Sequence, residues 1–113
     1  MPAFLRKEGN VVIVDLQGRM AMGEVDDFRA KWSEAMATGS KQLIINLTKV
    51  TMMDSSGIGT MIRCHSAMNA VGGTIQVVGA NTTVRQAFKV TRLDKVFAFY
   101  DDEASALAAG ASS

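Results

Sequence analysis

The chain has 113 residues, 48% apolar and 20% charged, which is enough for one core of its own and too apolar for intrinsic disorder. Twelve basic residues against eleven acidic ones leave a net charge of +1 with no basic run, so nucleic-acid binding has no electrostatic support. No apolar stretch approaches the roughly 20 residues that cross a bilayer.

Residues Met1 to Glu8 lack the order of a signal peptide, because their charges follow a very short apolar piece. Cys64 is the only cysteine and His65 the only histidine. An internal disulfide is therefore impossible, which fits a reducing cytoplasm, and the pair does not make a three- or four-ligand metal site.

In chain order, Phe4-Leu5 predicts a short first strand ended by a Gly9-Asn10 turn. Val11 to Leu16 is β-branched and nearly continuous, as in a strand buried on both faces, and Gly18 closes it. From Val25 to Ala37 the apolar residues Val25, Phe28, Trp32, Ala35 and Met36 recur at three- and four-residue steps. That spacing predicts an amphipathic helix with Trp32 as its main anchor and Gly39 as its C-terminal cap. Leu43 to Leu47 is the next strand, followed by a connection through Thr48-Lys49-Val50-Thr51.

A helix from Ile58 to Val71 places Ile58, Met61, Ile62, His65 and Met68 on one broad face, and Gly72-Gly73 ends it. Thr74 to Val78 reads as a strand. Asn81 caps a third helix with Val84, Ala87 and Phe88 inward, and Val96 to Phe99 is the last strand. Asp101 or Asp102 opens a final helix carrying Ala104, Leu107 and Ala108, with a fraying Gly/Ala/Ser tail. Alternating strands and helices imply βαβ units, hence an α/β fold with a mixed, largely parallel sheet of four to five strands and about four helices. No internal repeat or linker divides it.

The chemically distinctive stretch is Met52-Met53-Asp54-Ser55-Ser56-Gly57-Ile58-Gly59. It joins a strand to a helix, at the kind of loop where α/β folds meet ligands and partners. Asp54 or Ser55 is a natural N-cap, and Ser55 then sits where a helix dipole stabilises anions and phosphates. A plain cap needs one such side chain, whereas three polar ones cluster here with two glycines. Met20, Met22, Met52 and Met53 flank the turn; exposed, they offer adaptable apolar contact to a partner. Core packing is an equally good reading for Met52 and Met53.

Two sharper chemistries fail. Asp54, Ser55 and His65 name a hydrolase triad, but ten helical residues separate Ser55 from His65 by about 15 Å. Gly57-x-Gly59 lacks the third glycine or the lysine of a phosphate loop. The two glycines instead keep the first turn small, so that another protein's backbone approaches closely.

At Met53-Asp54-Ser55-Ser56-Gly57-Ile58-Gly59 the sequence resembles the bacterial anti-sigma factor antagonists, which are single STAS domains. Leu16-Gln17-Gly18, Leu43 to Leu47, Gly72-Gly73, Val84-Arg85-Gln86-Ala87-Phe88 and Thr91-Arg92-Leu93 extend the resemblance over nearly the whole chain. It implies a STAS-like fold over about residues 4–108 and a regulator that works by partner switching without catalysing anything or carrying a cofactor. In that scheme the unmodified form binds an anti-sigma factor, a serine kinase using ATP and magnesium, and so frees a sigma factor. The kinase phosphorylates the first motif serine, here Ser55, with Asp54, Ser56 and Gly57 supporting it, and a metal-dependent serine phosphatase resets the switch. The implied contact set is Met22, Glu24, Ser55, Ser56, Gly57, Ile58 and Gly59, in a cytoplasmic monomer or weak dimer that enters neither membrane nor nucleic-acid complexes.

Two positions depart from the family pattern. Ala21 stands where an acidic residue is frequent, with Glu24 and Asp26 nearby, and Asn46 stands where a strand Asp is common. Ala21 motivates an alternative: a STAS scaffold or accessory subunit of a signalling or lipid-transport complex, binding without phosphorylation. A small nucleotide-binding sensor ranks last.

Overall fold

The computed structural model describes residues 2–111. Five strands lie in the order β1-β2-β3-β4-β5: β1 Ala3–Glu8, β2 Val11–Met20, β3 Gln42–Met53, β4 Thr74–Val78 and β5 Ala98–Tyr100. The β1/β2 hairpin is antiparallel and the other pairings are parallel, so the sheet is mixed and mostly parallel, as expected. Four helices accompany it: α1 Asp26–Ala37, α2 Ser55–Ala70, α3 Thr82–Val90 and α4 Glu103–Ala111.

The strand sequences explain the layering. Alternate residues Val12, Val14, Leu43, Ile45, Ile75 and Val77 face α1, α2 and α3. The residues between them, Ile13, Ile44 and Val78, pack with Ala106 of α4 on the other face. Coverage on both faces is why the strands read as unbroken apolar runs.

Several expectations need correction. β2 does not stop at Gly18: two register shifts, between Asp15 and Gln17 and between Gly18 and Arg19, let it run on to Met20. Gly18 supplies the left-handed backbone for this, with φ +89. β3 likewise continues through Thr48-Lys49 to Met53, pairing Val50 with Gly18 and Met53 with Met20. In α1 the deepest residue is Phe28, fully buried, while Trp32 is half-buried with its indole N–H donating to the Met36 sulfur at 3.1 Å.

In α2, Ile62 points outward and Cys64 takes the inner position. The last strand is shorter than the apolar run. A single 3₁₀ turn, Leu93–Lys95, holds Val96 and Phe97 outside it, leaving Phe97 buried and Val96 exposed. In α4 the core residue is Ala106, with Ala104 exposed. The helix continues through Ala111; Ser112 and Ser113 of the expected fraying tail lie outside the described residues.

Asn46 has a definite place on the α4 face. Arg6 bonds Asp15 (Nε to Oδ2, 2.5 Å) and Glu103 (Nη2 to Oε2, 2.5 Å), and Asn46 donates its amide to Glu103 at 2.8 Å. Oδ1 of the same Asn46 side chain accepts the Thr48 N–H at 2.9 Å. The Arg6 guanidinium, helped by Asn46, holds Glu103 below the usual carboxylate range. An aspartate at 46 would turn a third carboxylate toward Glu103.

The packing ranks the two aromatic residues of α1. Phe28→Ala should cost about 3–5 kcal/mol in urea denaturation, and Trp32→Ala distinctly less, because part of the indole is already in water.

Candidate functional site

The extensions of β2 and β3 carry two chain segments to one place, the β2–α1 connection and the N-terminus of α2. The Asp54 N–H donates to the Met20 carbonyl at 3.1 Å. The Asp54 side chain then accepts three backbone bonds. Oδ1 takes the N–H groups of Ser56 (2.8 Å) and Gly57 (3.1 Å), and Oδ2 takes the N–H of Met22 (3.1 Å). Asp54 is thus the N-cap of α2 and the tie between α2 and the other segment. The Met22 amide above all, with those of Gly57 and Ser56, holds its carboxyl below the ordinary value.

Ser55 is the first residue of α2 and is exposed. Among the described residues no group bonds its hydroxyl. Ser56 is half-buried, and its carbonyl accepts the Thr60 hydroxyl at 2.8 Å. A free hydroxyl at the positive end of a 16-residue helix is placed to be modified by an anion and to tolerate it.

The two glycines divide. A Cβ on Gly57 would strike the Met20 carbonyl oxygen and come within 2.7 Å of Met53 Cγ. Gly57 is therefore required by the chain's own β2, and with the buried Ile58 it lies behind the surface. They are the two buried members of the expected contact set. Gly59 has only the Arg63 guanidinium 4.0 Å from a Cβ, so nothing inside the molecule requires a glycine there.

Ile62, 41% exposed, lies one turn further on the same outer face; the 3–4 spacing from Ser55 through Gly59 is the signal that identifies it. Met22 is 81% exposed beside Asp54, whereas Met20 and Met53 are in the core and Met52 is half-buried. Of the four methionines, only Met22 offers an open surface.

Glu24 pairs with Arg19 at 3.4 Å, and its N–H donates to the Ala21 carbonyl at 2.9 Å. The nearby carboxylate is thus engaged within the loop. His65 sits edge-on to Phe97 at 5.1 Å, as a packing residue, and burial pushes the Cys64 thiol up to about 12, which makes it inert. Among the described residues no group of His, Cys, Asp and Glu forms a metal cluster, and no helix is long and apolar enough to cross a membrane.

The profile of the family described as STAS domain matches residues 4–106. The chain belongs to the STAS family. This STAS domain is 30% identical over 98 residues to the anti-sigma F factor antagonist of Paenibacillus polymyxa, covering 86% of this chain and 84% of that one. It is 32% identical over 83 residues to the corresponding antagonist of Lysinibacillus sphaericus, covering 73% and 71%. Among solved structures it resembles the anti-sigma factor antagonist SpoIIAA in its unphosphorylated form, with TM-score 0.77, 26% identity and 92% of each chain covered. The Bacillus SpoIIAA has also been solved in a phosphorylated form, which superposes with TM-score 0.71 at 25% identity and covers 92% of this chain and 96% of that one.

The two glycines of this STAS domain should respond oppositely to a methyl group. Gly57→Ala should destabilise by about 1–3 kcal/mol through overpacking against β2. Gly59→Ala should stabilise by about 0.5–1 kcal/mol through helix propensity, both read as shifts in the urea midpoint.

Asp54 gives a pH signature. Its folded-state pKa is below its unfolded value, so its contribution is complete above the ordinary carboxylate range and is lost as pH falls through the folded value. Asp54→Ala should lower Tm at neutral pH and flatten its acid limb. Hydrogen exchange at Met22, Ser56 and Gly57 should accelerate with it.

Proposed function

We propose that this STAS domain is an anti-sigma factor antagonist that works by partner switching. In its unmodified form it binds an anti-sigma serine kinase through Met22, Ser55, Ser56 and Gly59, with Ile62 added, and thereby frees a sigma factor. Glu24 lies at the margin of that surface, held by Arg19. The kinase, with its own ATP and magnesium, phosphorylates Ser55, which ends binding, and a metal-dependent serine phosphatase restores it. The domain itself supplies no catalytic group, and it acts in the cytoplasm as a monomer or weak dimer.

The observation that carries this reading is the exposed, unbonded Ser55 hydroxyl at the α2 N-terminus, set beside a carboxylate wholly engaged by backbone amides. Phosphorylation adds about −1.5 to −2 charges at pH 7. The dipole of α2 accommodates that charge without a change of fold. A partner seated over Met22, Gly59 and Ile62 instead meets a hydrated dianion in an apolar contact, next to the negative Asp54. Only a few kcal/mol of differential affinity are needed to empty such a complex. Gly59 supports the same surface: an outward glycine weakens α2, and the close approach of another backbone offsets that cost.

A second reading has its own observation. Ala21 carries no carboxylate and Glu24 is held by Arg19, which favours a phosphorylation-independent STAS scaffold or accessory subunit.

Intact-mass analysis of the protein from its host, with site mapping, separates the two. Under partner switching, one phosphate maps to Ser55 and disappears in Ser55→Ala, and the Ala variant co-purifies with a kinase. The phosphorylated form should bind that kinase at least about 100-fold more weakly, equivalent to some 2.7 kcal/mol. An unmodified Ser55 under every growth condition, with partner binding intact, establishes the scaffold instead.

A further inference from the structure

We propose that the outer face of α3 and the 3₁₀ turn after it docks an acidic segment of a partner protein, at a site separate from the Ser55 surface. The elements are Arg85, Lys89, Arg92 and Lys95, which follow one another at three- and four-residue steps and are all exposed. Between residues 82 and 97 the chain has these four basic side chains and one acidic one, Asp94; the rest has eight basic and ten acidic. A molecule of net charge +1 thus concentrates +3 on this segment and leaves −2 elsewhere. Asp15, Glu24, Asp26, Glu34 and Glu103 form ion pairs, and their partners are cations outside the stripe. Among the described residues none forms an ion pair with any of the four cations of the stripe.

Their placement favours a protein segment over a diffuse polyanion. The Arg85 guanidinium lies over the Phe99 ring at 5.1 Å, and that ring packs edge-on to the buried Phe88 at 5.1 Å. Arg92 is fixed in the left-handed region at φ 61, with its N–H donating to the Lys89 carbonyl at 3.0 Å. Lys95 stands on a turn closed by the N–H groups of Val96 and Phe97 on the Leu93 carbonyl. Attraction to a membrane or a phosphate backbone needs charge and no such fixing. A guanidinium held in place, as that of Arg85 is on Phe99, suits directed bonds to carboxylates.

Val90 and Val96, 68% and 47% exposed, lie among the cations and give the partner apolar contact between its acids. Arg85 and Lys89 are one helical turn apart, about 6 Å along the axis. Alternate residues of an extended chain are separated by roughly 6.6 Å, so a strand-like segment with a carboxylate at every second residue matches the stripe.

The test is an amide-resolved NMR titration of the full chain at low ionic strength with an acetylated dodecapeptide of alternating Glu and Ser. The expected result is saturable shifts confined to residues 82–97, weakened by added salt. The Lys89→Glu/Arg92→Gly variant should lose at least tenfold in affinity; glycine suits the left-handed position, so its thermal unfolding checks that the fold is kept. Ser55→Ala should bind the peptide unchanged. Shifts centred elsewhere, no saturation, or equal affinity in the folded double variant would overturn the proposal. So would co-sedimentation with phosphatidylglycerol–phosphatidylcholine vesicles that the double variant loses while the peptide leaves residues 82–97 unmoved.

Discussion

The carboxylate of Asp54 is the interaction on which the site depends. Two chain segments 32 residues apart, one following β2 and the other following β3, are tied together by a single side chain that accepts backbone bonds from both. Neither segment holds its position by burial alone, since Met22 and Ser55 are both in solvent. A cap on one helix normally satisfies that helix; here the second carboxylate oxygen is spent on Met22, and the β2–α1 connection becomes an extension of the helix terminus. The arrangement presupposes the long pairing of β2 with β3 and the close seat of Gly57 on the Met20 carbonyl. An ordinary side chain at position 57 would push α2 off the strand and open the Asp54 bonds.

This coupling ties the β2–α1 connection and the N-terminus of α2 into one surface around Ser55. Phosphate on Ser55 would then act through its own charge and hydration, because the elements around it are already tied down. The neighbouring carboxylate would sharpen the effect: its oxygens are turned to backbone amides, but its charge would stay next to a phosphate there. The contrast between Gly57 and Gly59 shows the same division within one turn. The first glycine serves the interior, where its absence of a side chain is a packing requirement. The second weakens the helix, and no contact inside the molecule requires it.

The sequence made the architecture legible because its strands are unambiguous. Val11-Val12-Ile13-Val14 and Leu43-Ile44-Ile45 are too β-branched and too short for amphipathic helices, and Asp54 and Asn81 both cap the helices that their positions suggest. What escaped depended on contacts distant in sequence. Thr48-Lys49 looks like a loop, and becomes strand only because Gly18 and two register shifts bring the end of β2 alongside. Trp32 outranks Phe28 by size, yet its indole N–H must be satisfied, and it settles at the margin beside Met36 while Phe28 goes inside. Ile62 reads as core by composition and lies outside by helical angle. The site motif was visible as a cluster of residue types, but the sequence could not say which of its two glycines faced inward.

Asn46 illustrates how charge is distributed through the fold. On the α4 face, Arg6 is shared by Asp15 and Glu103, so one cation already serves two carboxylates. Asn46 can donate to Glu103 and accept from Thr48, so it completes the network without adding a negative charge. An aspartate there would need a second cation, and Lys49, next in the sequence to Thr48, is exposed rather than engaged. The amide is therefore the neutral solution to a crowded acidic corner. The opposite layer has the complementary condition: Arg85, Lys89, Arg92 and Lys95 stand together with one acid among them. A net charge near zero conceals this separation, because the −2 carried by the rest of the chain cancels most of the +3 on this segment.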